Sequence, residues 1–334
     1  MIICKTPYRI SFFGGGSDYP LWLKNNEGEV ISTSIDKYTY ISCRFLPNFF
    51  KHKYRISYSQ LEEVKKISKI KHYAVKKILE KHPIGKQGLE IHYDGDLPSN
   101  SGMGSSSSFV VGLLNSLNTL ENLNQNKKQI INKRDLADLA IKYEQKVLKE
   151  ISGYQDQIIT SHGGFNNINF FSHKRYAIKK INISNKSKND LNNNLFLVYS
   201  GIKRYAHKIA GSFVPNLNNT NRDYILEILK HVKIAKKLLE NKMFDDFGRL
   251  LNESWLVKKQ LSKSISNKKL DYIYKYCLNC GALGGKLLGA GGGGFFVFYV
   301  PKNNHKKFKQ LIKKRYIIID FKFENEGSKI IHKF

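Results

Sequence analysis

A glycine- and serine-rich loop between a predicted strand and a predicted helix constrains this chain more than any other stretch. The loop reads Leu97-Pro-Ser-Asn-Ser-Gly-Met-Gly-Ser-Ser-Ser-Ser-Phe109, after a strand pattern over 88–95 and before an apolar helical pattern over 109–117. Glycines let the backbone approach a ligand closely. Serine hydroxyls and the unpaired N–H groups at a helix start can donate hydrogen bonds to phosphate oxygens. The pattern predicts a phosphate-binding loop, with a flexible linker as the alternative.

The loop differs from the P-loop of nucleotide-binding proteins in one respect. A P-loop carries a lysine directly after its last glycine, whereas here Gly104 is followed by Ser105. The charge of a bound phosphate must therefore be met by the helix terminus, by a metal and by residues elsewhere in the chain.

A second glycine-rich turn lies near the N-terminus. Three glycines at 14–16 end a predicted buried strand over 2–13, and Ser17 and Asp18 follow them. Arg9 lies within this strand and needs an anionic partner, because an unpaired buried charge costs several kcal/mol. This partner is either a carboxylate in a structural salt bridge or an anionic group in an active site.

Length and composition predict an α+β protein with two domains. The chain has 334 residues, and 41% of them are hydrophobic, which is enough for two well-filled cores. Residues 184–194 are rich in Asn, Ser and Lys and are predicted to form a loop, so the domains are placed at 1–190 and 191–334. No apolar run approaches the roughly 20 residues of a membrane helix, and we expect a cytoplasmic protein.

The chain is strongly basic, with 56 Lys and Arg residues, 27 Asp and Glu residues and a net charge of +29. The lysines are scattered, no compact basic block has interleaved aromatic residues, and no zinc-finger motif occurs. We therefore expect no nucleic-acid partner. A positive field would still attract anionic substrates such as ATP and sugar phosphates.

Two carboxylates follow the first loop. A helix is predicted over 133–149, and Glu144 lies at the edge of its apolar face, where composition alone favours a solvated surface group over a ligand. Asp156 is predicted to open a helix, where a carboxylate is favoured by the helix dipole. An earlier basic stretch, 61–82, is also predicted to be a helix.

The second half has two further candidate segments. A predicted strand over 195–199 ends just before Lys203 and Arg204, which are candidates for an anion contact or else solvated surface cations. Another glycine cluster, 284–294, runs into an apolar strand.

Three blocks together resemble the GHMP kinase superfamily, which includes galactokinases, homoserine kinases and mevalonate kinases. They are Pro7-Tyr-Arg-Ile-Ser-Phe-Phe-Gly-Gly-Gly-Ser-Asp18, the loop at 97–108, and Gly284-Gly-Lys-Leu-Leu-Gly-Ala-Gly-Gly-Gly-Gly294. They occur in the order of that superfamily and cover nearly the whole chain. The segments 153–157, 163–166, 200–206 and 323–331 are most similar to the D-glycero-D-manno-heptose 7-phosphate kinases. Met103 and Ser107 depart from the usual Leu and Ala.

The resemblance implies a two-domain fold, with an N-terminal domain like domain 2 of ribosomal protein S5 and a ferredoxin-like α/β-sandwich C-terminal domain. It implies a catalytic pair, Asp156 and Arg9, and a Mg²⁺ site at Ser106 and Glu144, which reverses the surface interpretation of Glu144. The implied ATP-binding residues are Pro98, Ser101, Gly102, Met103, Gly104, Ser105, Ser106 and Ser107. The implied substrate-binding residues are Gly15, Gly16, Ser17, Asp18, Lys203, Arg204, Gly292 and Gly293.

The implied reaction converts ATP and D-glycero-D-manno-heptose 7-phosphate to ADP and heptose 1,7-bisphosphate, for nucleotide-activated heptose synthesis. Alternatives are another sugar kinase of this superfamily, such as a fucokinase-like enzyme, and a nucleic-acid-binding protein on an inactive kinase scaffold. The intact set Arg9, Ser106, Glu144 and Asp156 argues against the inactive scaffold. The sequence leaves a homodimer open.

Overall fold

The computed structural model describes residues 1–127, 130–171, 175–203 and 206–333. Its strands are β1 (Ile2–Phe13), β2 (Gly28–Phe45), β3 (Tyr54–Ser57), β4 (Leu61–Val64), β5 (Leu89–Gly95), β6 (Phe165–Phe170), β7 (Tyr176–Lys180), β8 (Leu195–Tyr199), β9 (Gly284–Leu287), β10 (Phe295–Tyr299), β11 (Ile317–Ile319), β12 (Phe323–Glu324) and β13 (Lys329–Lys333).

The helices lie between these strands. They are α1 (Pro20–Leu23), α2 (Tyr73–Lys81), α3 (Ser105–Asn124), α4 (Lys133–Lys142), α5 (Gln155–His162), α6 (Asn185–Asn193), α7 (Ala206–Phe213), α8 (Arg222–Glu240), α9 (Phe244–Gln260), α10 (Lys268–Asn279) and α11 (His305–Ile312). A π-helical turn, Tyr143–Val147, continues α4. None of the helices in the described ranges combines the length and the apolarity that crossing a membrane would require.

The strands form two sheets. The larger has the order β13-β1-β2-β5-β3-β4, with β6 and β12 also paired to β2 and β7 paired to β6. Its pairs are antiparallel except for β3 with β5. The smaller sheet, β11-β8-β10-β9, is wholly antiparallel. Largely antiparallel sheets with helices packed against them confirm the predicted α+β class.

An aromatic cluster joins the end of β1 to the second half of the chain. Phe12 and Phe13 make edge-to-face contacts with Phe247 of α9, with ring centroids 5.5 and 5.2 Å apart. The same apolar cluster contains Phe295 and Val297 of β10. This shared core holds the end of β1, where the first glycine turn begins, against the smaller sheet.

The predicted helix over 61–82 is wrong in its first half. Leu61–Val64 is β4, which pairs with β3, and the helix α2 begins only at Tyr73. The carboxylate of Glu62 accepts hydrogen bonds from the N–H groups of Lys71 and His72, just before the helix start. The apolar periodicity of the stretch thus spans a strand and a helix.

The predicted loop over 184–194 is also wrong, because Asn185–Asn193 forms helix α6. The Ser184 side chain caps this helix by accepting from the Ser187 N–H at 3.1 Å, and Leu191 is buried. The N-cap hydrogen bond and the burial of Leu191 both stabilise this polar stretch as a helix. The division at 190/191 stays a prediction, and β12 and β13 return from the end of the chain to the larger sheet.

Candidate active site

A cleft of about 150 Å³ lies where the end of β1, the loop before α3, the start of α5 and the segment after β9 converge. Its lining combines acidic groups, basic groups and backbone from both halves of the chain.

Arg9 and Asp156 form a bidentate ion pair at the cleft. Arg9 Nε lies 2.7 Å from Asp156 Oδ1, and Arg9 Nη2 lies 2.6 Å from Oδ2. Asp156 is in the first turn of α5, where the helix dipole also favours its charge. Arg9 of β1 is almost fully buried, and Asp156 is the anionic partner that a buried guanidinium requires.

Arg9 also anchors the glycine- and serine-rich loop. Its Nη1 donates to the Gly102 carbonyl at 2.6 Å, and its backbone N–H donates to the Met103 carbonyl at 3.0 Å. Gly104 follows in a left-handed conformation, with φ at 73°, and precedes the first residue of α3, Ser105. The start of α3 therefore points its N–H groups into the cleft, beside the ion pair, as an anion site requires.

Glu144 is turned into the cleft rather than toward solvent. It lies on the π-helical turn after α4, only 1% of it is exposed, and its Oε2 accepts from Gln157 Nε2 at 2.7 Å. Burial raises the pKa of Glu144 to about 7, while hydrogen bonds from Ser107 and Gln157 oppose that rise. Single π-helical turns often occur at functional sites.

Glu144 Oε1 has no hydrogen-bond partner among the described residues. Ser106 lines the same cleft. A buried carboxylate oxygen that lacks a partner, together with a nearby hydroxyl, fits a hard divalent cation that takes its other ligands from phosphate and water. Among the described residues there is no group of three or more His, Cys, Asp or Glu side chains that could hold a metal by itself.

Asp18 ties the first glycine turn to the start of α5. Its carboxylate accepts from the N–H groups of Gly16 at 3.1 Å and Gln155 at 3.2 Å. A side chain at Gly153 would overlap this carboxylate, so a glycine is needed there. Burial first, and then the charge of Asp156, raise the pKa of Asp18 to about 6.

Two lysines that the sequence analysis missed also line the cleft. Lys286 of β9 is 4% exposed and donates to the Phe12 carbonyl at 2.6 Å. Burial, and the neighbouring charge of Arg9, lower the pKa of Lys286 to about 7. Lys258 of α9 donates to the carbonyls of Leu287 at 3.0 Å and Gly289 at 2.5 Å. The sequence signal for Lys286 was its position as a single lysine inside an apolar, glycine-rich strand pattern.

The structure brings most of the predicted site residues to the cleft. Those that line it are Arg9, Gly15, Gly16, Asp18, Gly102, Gly104, Ser105, Ser106, Ser107, Glu144 and Asp156. Others are not among its lining residues, namely Ser17, Pro98, Ser101, Met103, Lys203, Gly292 and Gly293. Lys203 is exposed, and Arg204 lies outside the described residues.

The glycine cluster at 284–294 packs against the loop at 97–108. The Phe295 N–H donates to the Ser101 carbonyl at 3.1 Å, and the Gly294 N–H donates to the Ile202 carbonyl at 2.9 Å. A side chain at Gly294 would overlap the backbone of Ser101. The cluster therefore supports the phosphate-binding loop by close backbone packing.

Two family models match the chain. The model of the GHMP kinases N terminal domain matches residues 67–164, and that of the GHMP kinases C terminal domain matches residues 235–317. The matched ranges include the loop before α3, Glu144, Asp156, Lys258 and Lys286.

Known proteins resemble the chain over nearly its whole length. It is 30% identical to the D-glycero-alpha-D-manno-heptose 7-phosphate kinase of Campylobacter jejuni, over 97% of each chain. It is 26% identical to the galactokinase of Pyrococcus furiosus, over 95% of this chain and 94% of that one. The crystal structure of a D-glycero-D-manno-heptose 1-phosphate kinase from Bacteriodes thetaiotaomicron superposes with a TM-score of 0.80, at 20% identity over all of both chains. The fold implied by the sequence resemblance is thereby confirmed.

Proposed function

This chain belongs to the GHMP kinase family and is an ATP-dependent kinase, and we propose that its acceptor is D-glycero-D-manno-heptose 7-phosphate. The products would be ADP and heptose 1,7-bisphosphate, phosphorylated at the anomeric hydroxyl. The choice of acceptor rests on the 30% identity to a kinase of that substrate over 97% of both chains. A sugar phosphorylated at the anomeric carbon would then supply nucleotide-activated heptose synthesis.

The Arg9–Asp156 pair supports the reaction type. In the proposed step, the anomeric oxygen attacks the γ-phosphorus of ATP, the bond from that phosphorus to the ADP oxygen breaks, and Asp156 accepts the hydroxyl proton. The side chain of Asp156 is 23% exposed, whereas that of Arg9 is 4% exposed. Its position in the cleft leaves it within reach of an acceptor.

Arg9 would hold Asp156 oriented for this proton transfer. Its guanidinium uses Nε and Nη2 for the aspartate and Nη1 for the Gly102 carbonyl. One side chain thus fixes both the base and the phosphate-binding loop, and positioning of this kind supplies much of the rate of phosphoryl transfer. The N–H groups at the start of α3 would donate to the ATP phosphates.

Ser106 and Glu144 would hold a Mg²⁺ ion that accompanies ATP. When bound, the ion would neutralise charge on the transferring phosphate. The free Oε1 of Glu144 supports this assignment, since a bound cation would satisfy it. Asp18, held by the N–H groups of Gly16 and Gln155, would accept a hydrogen bond from an acceptor hydroxyl.

A coupled assay of ADP release tests the proposed acceptor. The purified protein is given MgATP and a panel of heptose 7-phosphate, heptose, fucose, galactose and sugar 6-phosphates. We expect the highest kcat/KM for heptose 7-phosphate and a product phosphate at the anomeric carbon by ³¹P NMR. A higher kcat/KM for fucose or galactose would overturn the proposed acceptor and favour another sugar kinase.

Replacement of the base tests the reaction step. Asp156→Asn should lower kcat by about 10²–10⁴-fold, because general-base catalysis contributes about that factor. Ser187→Ala, in the first turn of α6 and outside the cleft lining, serves as a control that should keep kcat. Full ATP turnover by Asp156→Asn with the best acceptor would contradict the role of Asp156.

A further inference from the structure

Gln157 is a buried amide that lies beside the cleft without lining it. Its exposed fraction is 0%, and it is not among the residues that line the cleft. The residue before it in α5, Asp156, does line the cleft. Gln157 therefore has no surface to offer a substrate, and any effect that it has on the reaction must pass through a neighbouring side chain.

That neighbour is Glu144. Gln157 Nε2 donates a short hydrogen bond to Glu144 Oε2 at 2.7 Å, and its contact with Ser152 Oγ is longer, at 3.5 Å. The start of α5 is thereby tied to the π-helical turn that carries Glu144. Ser107 and Ser152 also hydrogen-bond to Glu144. Their hydroxyl groups can rotate to suit either partner, whereas the amide presents its N–H groups in one plane.

The carboxylate of Glu144 dictates how the amide is turned. An ionised carboxylate only accepts hydrogen bonds, so Gln157 must direct Nε2 toward Glu144 and Oε1 away from it. In that orientation Gln157 Oε1 has no hydrogen-bond partner among the described residues. A buried carbonyl oxygen without a partner is costly, and an apolar side chain of the same length would avoid this cost. The cost indicates that the bond to Glu144 does more than fill space.

We propose that Gln157 is the positioning residue that fixes Glu144 as a ligand of the Mg²⁺ ion accompanying ATP. The inference rests on the proposed function, because it needs the metal site at Ser106 and Glu144. With Oε2 held by the amide, Oε1 is the oxygen of Glu144 that is left for the cation. Removal of a group that orients a metal ligand typically weakens metal binding about 10–100-fold.

Binding of AMPPNP, an ATP analogue that is not hydrolysed, tests this role without turnover. Its dissociation constant is measured calorimetrically with Mg²⁺ and again with EDTA, and the ratio of the two values reports what the metal site contributes. Gln157→Met should weaken binding with Mg²⁺ about tenfold or more and change binding with EDTA less than about twofold. Gln145→Met is the matched control, since Gln145 is adjacent to Glu144 but donates to the Ser152 carbonyl at 3.2 Å.

The dependence of the rate on Mg²⁺ separates positioning from general damage to the fold. At a fixed ATP concentration, Gln157→Met should raise the Mg²⁺ concentration for half-maximal rate about tenfold or more, and excess Mg²⁺ should restore most of kcat. The KM for the acceptor should change less than about twofold. Gln157→Asn withdraws the amide by about 1.5 Å, the length of one C–C bond, and should shift the Mg²⁺ dependence in the same direction.

The outcomes separate this role from the proposed function. If Glu144→Gln removes the contribution of Mg²⁺ to AMPPNP binding and both Gln157 variants keep it, the positioning role fails and the metal site stands. If Mg²⁺ does not strengthen AMPPNP binding by wild type, the metal site and the positioning role fail together, whereas ADP release still tests the acceptor.

A loss of kcat that excess Mg²⁺ does not restore would overturn the positioning role, because it would place the effect of Gln157 on its neighbour Asp156. Urea denaturation checks that each variant is folded. Should Gln157→Met not fold, Gln157→Asn decides the matter by the same two measurements.

Discussion

The glycine- and serine-rich loop at 97–108 and the glycine cluster at 284–294 meet at Ser101, yet they serve the site in different ways. The loop before α3 lines the cleft with Gly102, Gly104 and the serines that follow. The cluster Gly291–Gly294 stays behind that loop, where its glycines allow the backbone of β10 to approach Ser101. Two segments of similar composition therefore have different roles. The loop at 97–108 lines the cleft, and Gly291–Gly294 pack against that loop.

Gly294→Ala should have the largest effect on stability. Its φ of 93° disfavours a side chain, and a Cβ would overlap the Ser101 carbonyl. Strain and overpacking together should lower the free energy of unfolding by about 2–5 kcal/mol, measured by urea denaturation. If instead this variant kept its stability and lost only affinity for substrates, the second cluster would contact the ligand and the contrast between the loops would fail.

Gly104→Ala should affect activity more than stability. A Cβ there would lie 3.1 Å from Arg9 Cγ, a flexible side chain that can yield, and φ at this position is 73°. The left-handed conformation should lower the free energy of unfolding by about 1–2 kcal/mol. Displacement of Arg9 should lower kcat by about 10²-fold, as small misplacements of catalytic groups do. Unchanged kcat in a destabilised protein would show that this glycine only packs.

A pH profile distinguishes the two glycine-rich segments. Lys286 lies in the segment 284–294, whereas the loop at 97–108 contains no Lys or Arg. The pKa of Lys286 is lowered to about 7 by burial and by Arg9, with His231 also nearby. The group is charged below that pKa and neutral above it, so kcat/KM for heptose 7-phosphate should fall as the pH rises through about 7. Lys286→Met should remove this alkaline limb. An identical limb in that variant would assign the titration elsewhere.

Gly201→Ala should give the smallest effect and calibrates the others. Its φ of 71° is left-handed like that of Gly104, but a Cβ at this position would meet no atom within 4 Å. The change isolates the conformational cost, about 1 kcal/mol in the free energy of unfolding. A loss as large as that of Gly294→Ala would mean that left-handed strain, and not contact with Ser101, dominates at both glycines.

Much of the site was predictable because its motifs are local. The glycine and serine composition of 97–108 predicted a helix start that faces a phosphate, and Gly104 and Ser105 stand at that start. The need of Arg9 for an anionic partner was also predictable from its place in a buried strand. Its partner Asp156, 147 positions away, was named only through the resemblance to a family, since composition does not pair distant residues.

Other residues could not be assigned from local patterns. Helical periodicity placed Glu144 at the edge of an apolar helix face and favoured a solvent-exposed side chain. In the structure, a π-helical turn and a hydrogen bond from Gln157 direct this side chain into the cleft. Lys203 follows a strand end and was a candidate for either an anion contact or a solvated surface cation; it is exposed and lies outside the cleft lining. Lys286 gave little signal, because its burial depends on α9 packing against β9 and on a contact with Phe12 of β1.

The amino-acid sequence by itself determined the chemistry that was available: glycines for close approach, serine hydroxyls at a helix start, and carboxylates and one arginine at positions where charge needs a partner. The tertiary structure decided which of these groups share one cleft, which glycine-rich segment lines that cleft and which lysines also line it. Backbone conformation and capping depend on neighbours along the chain, and these can be inferred from short patterns. Burial and charge pairing depend on residues that meet only when the two sheets pack together.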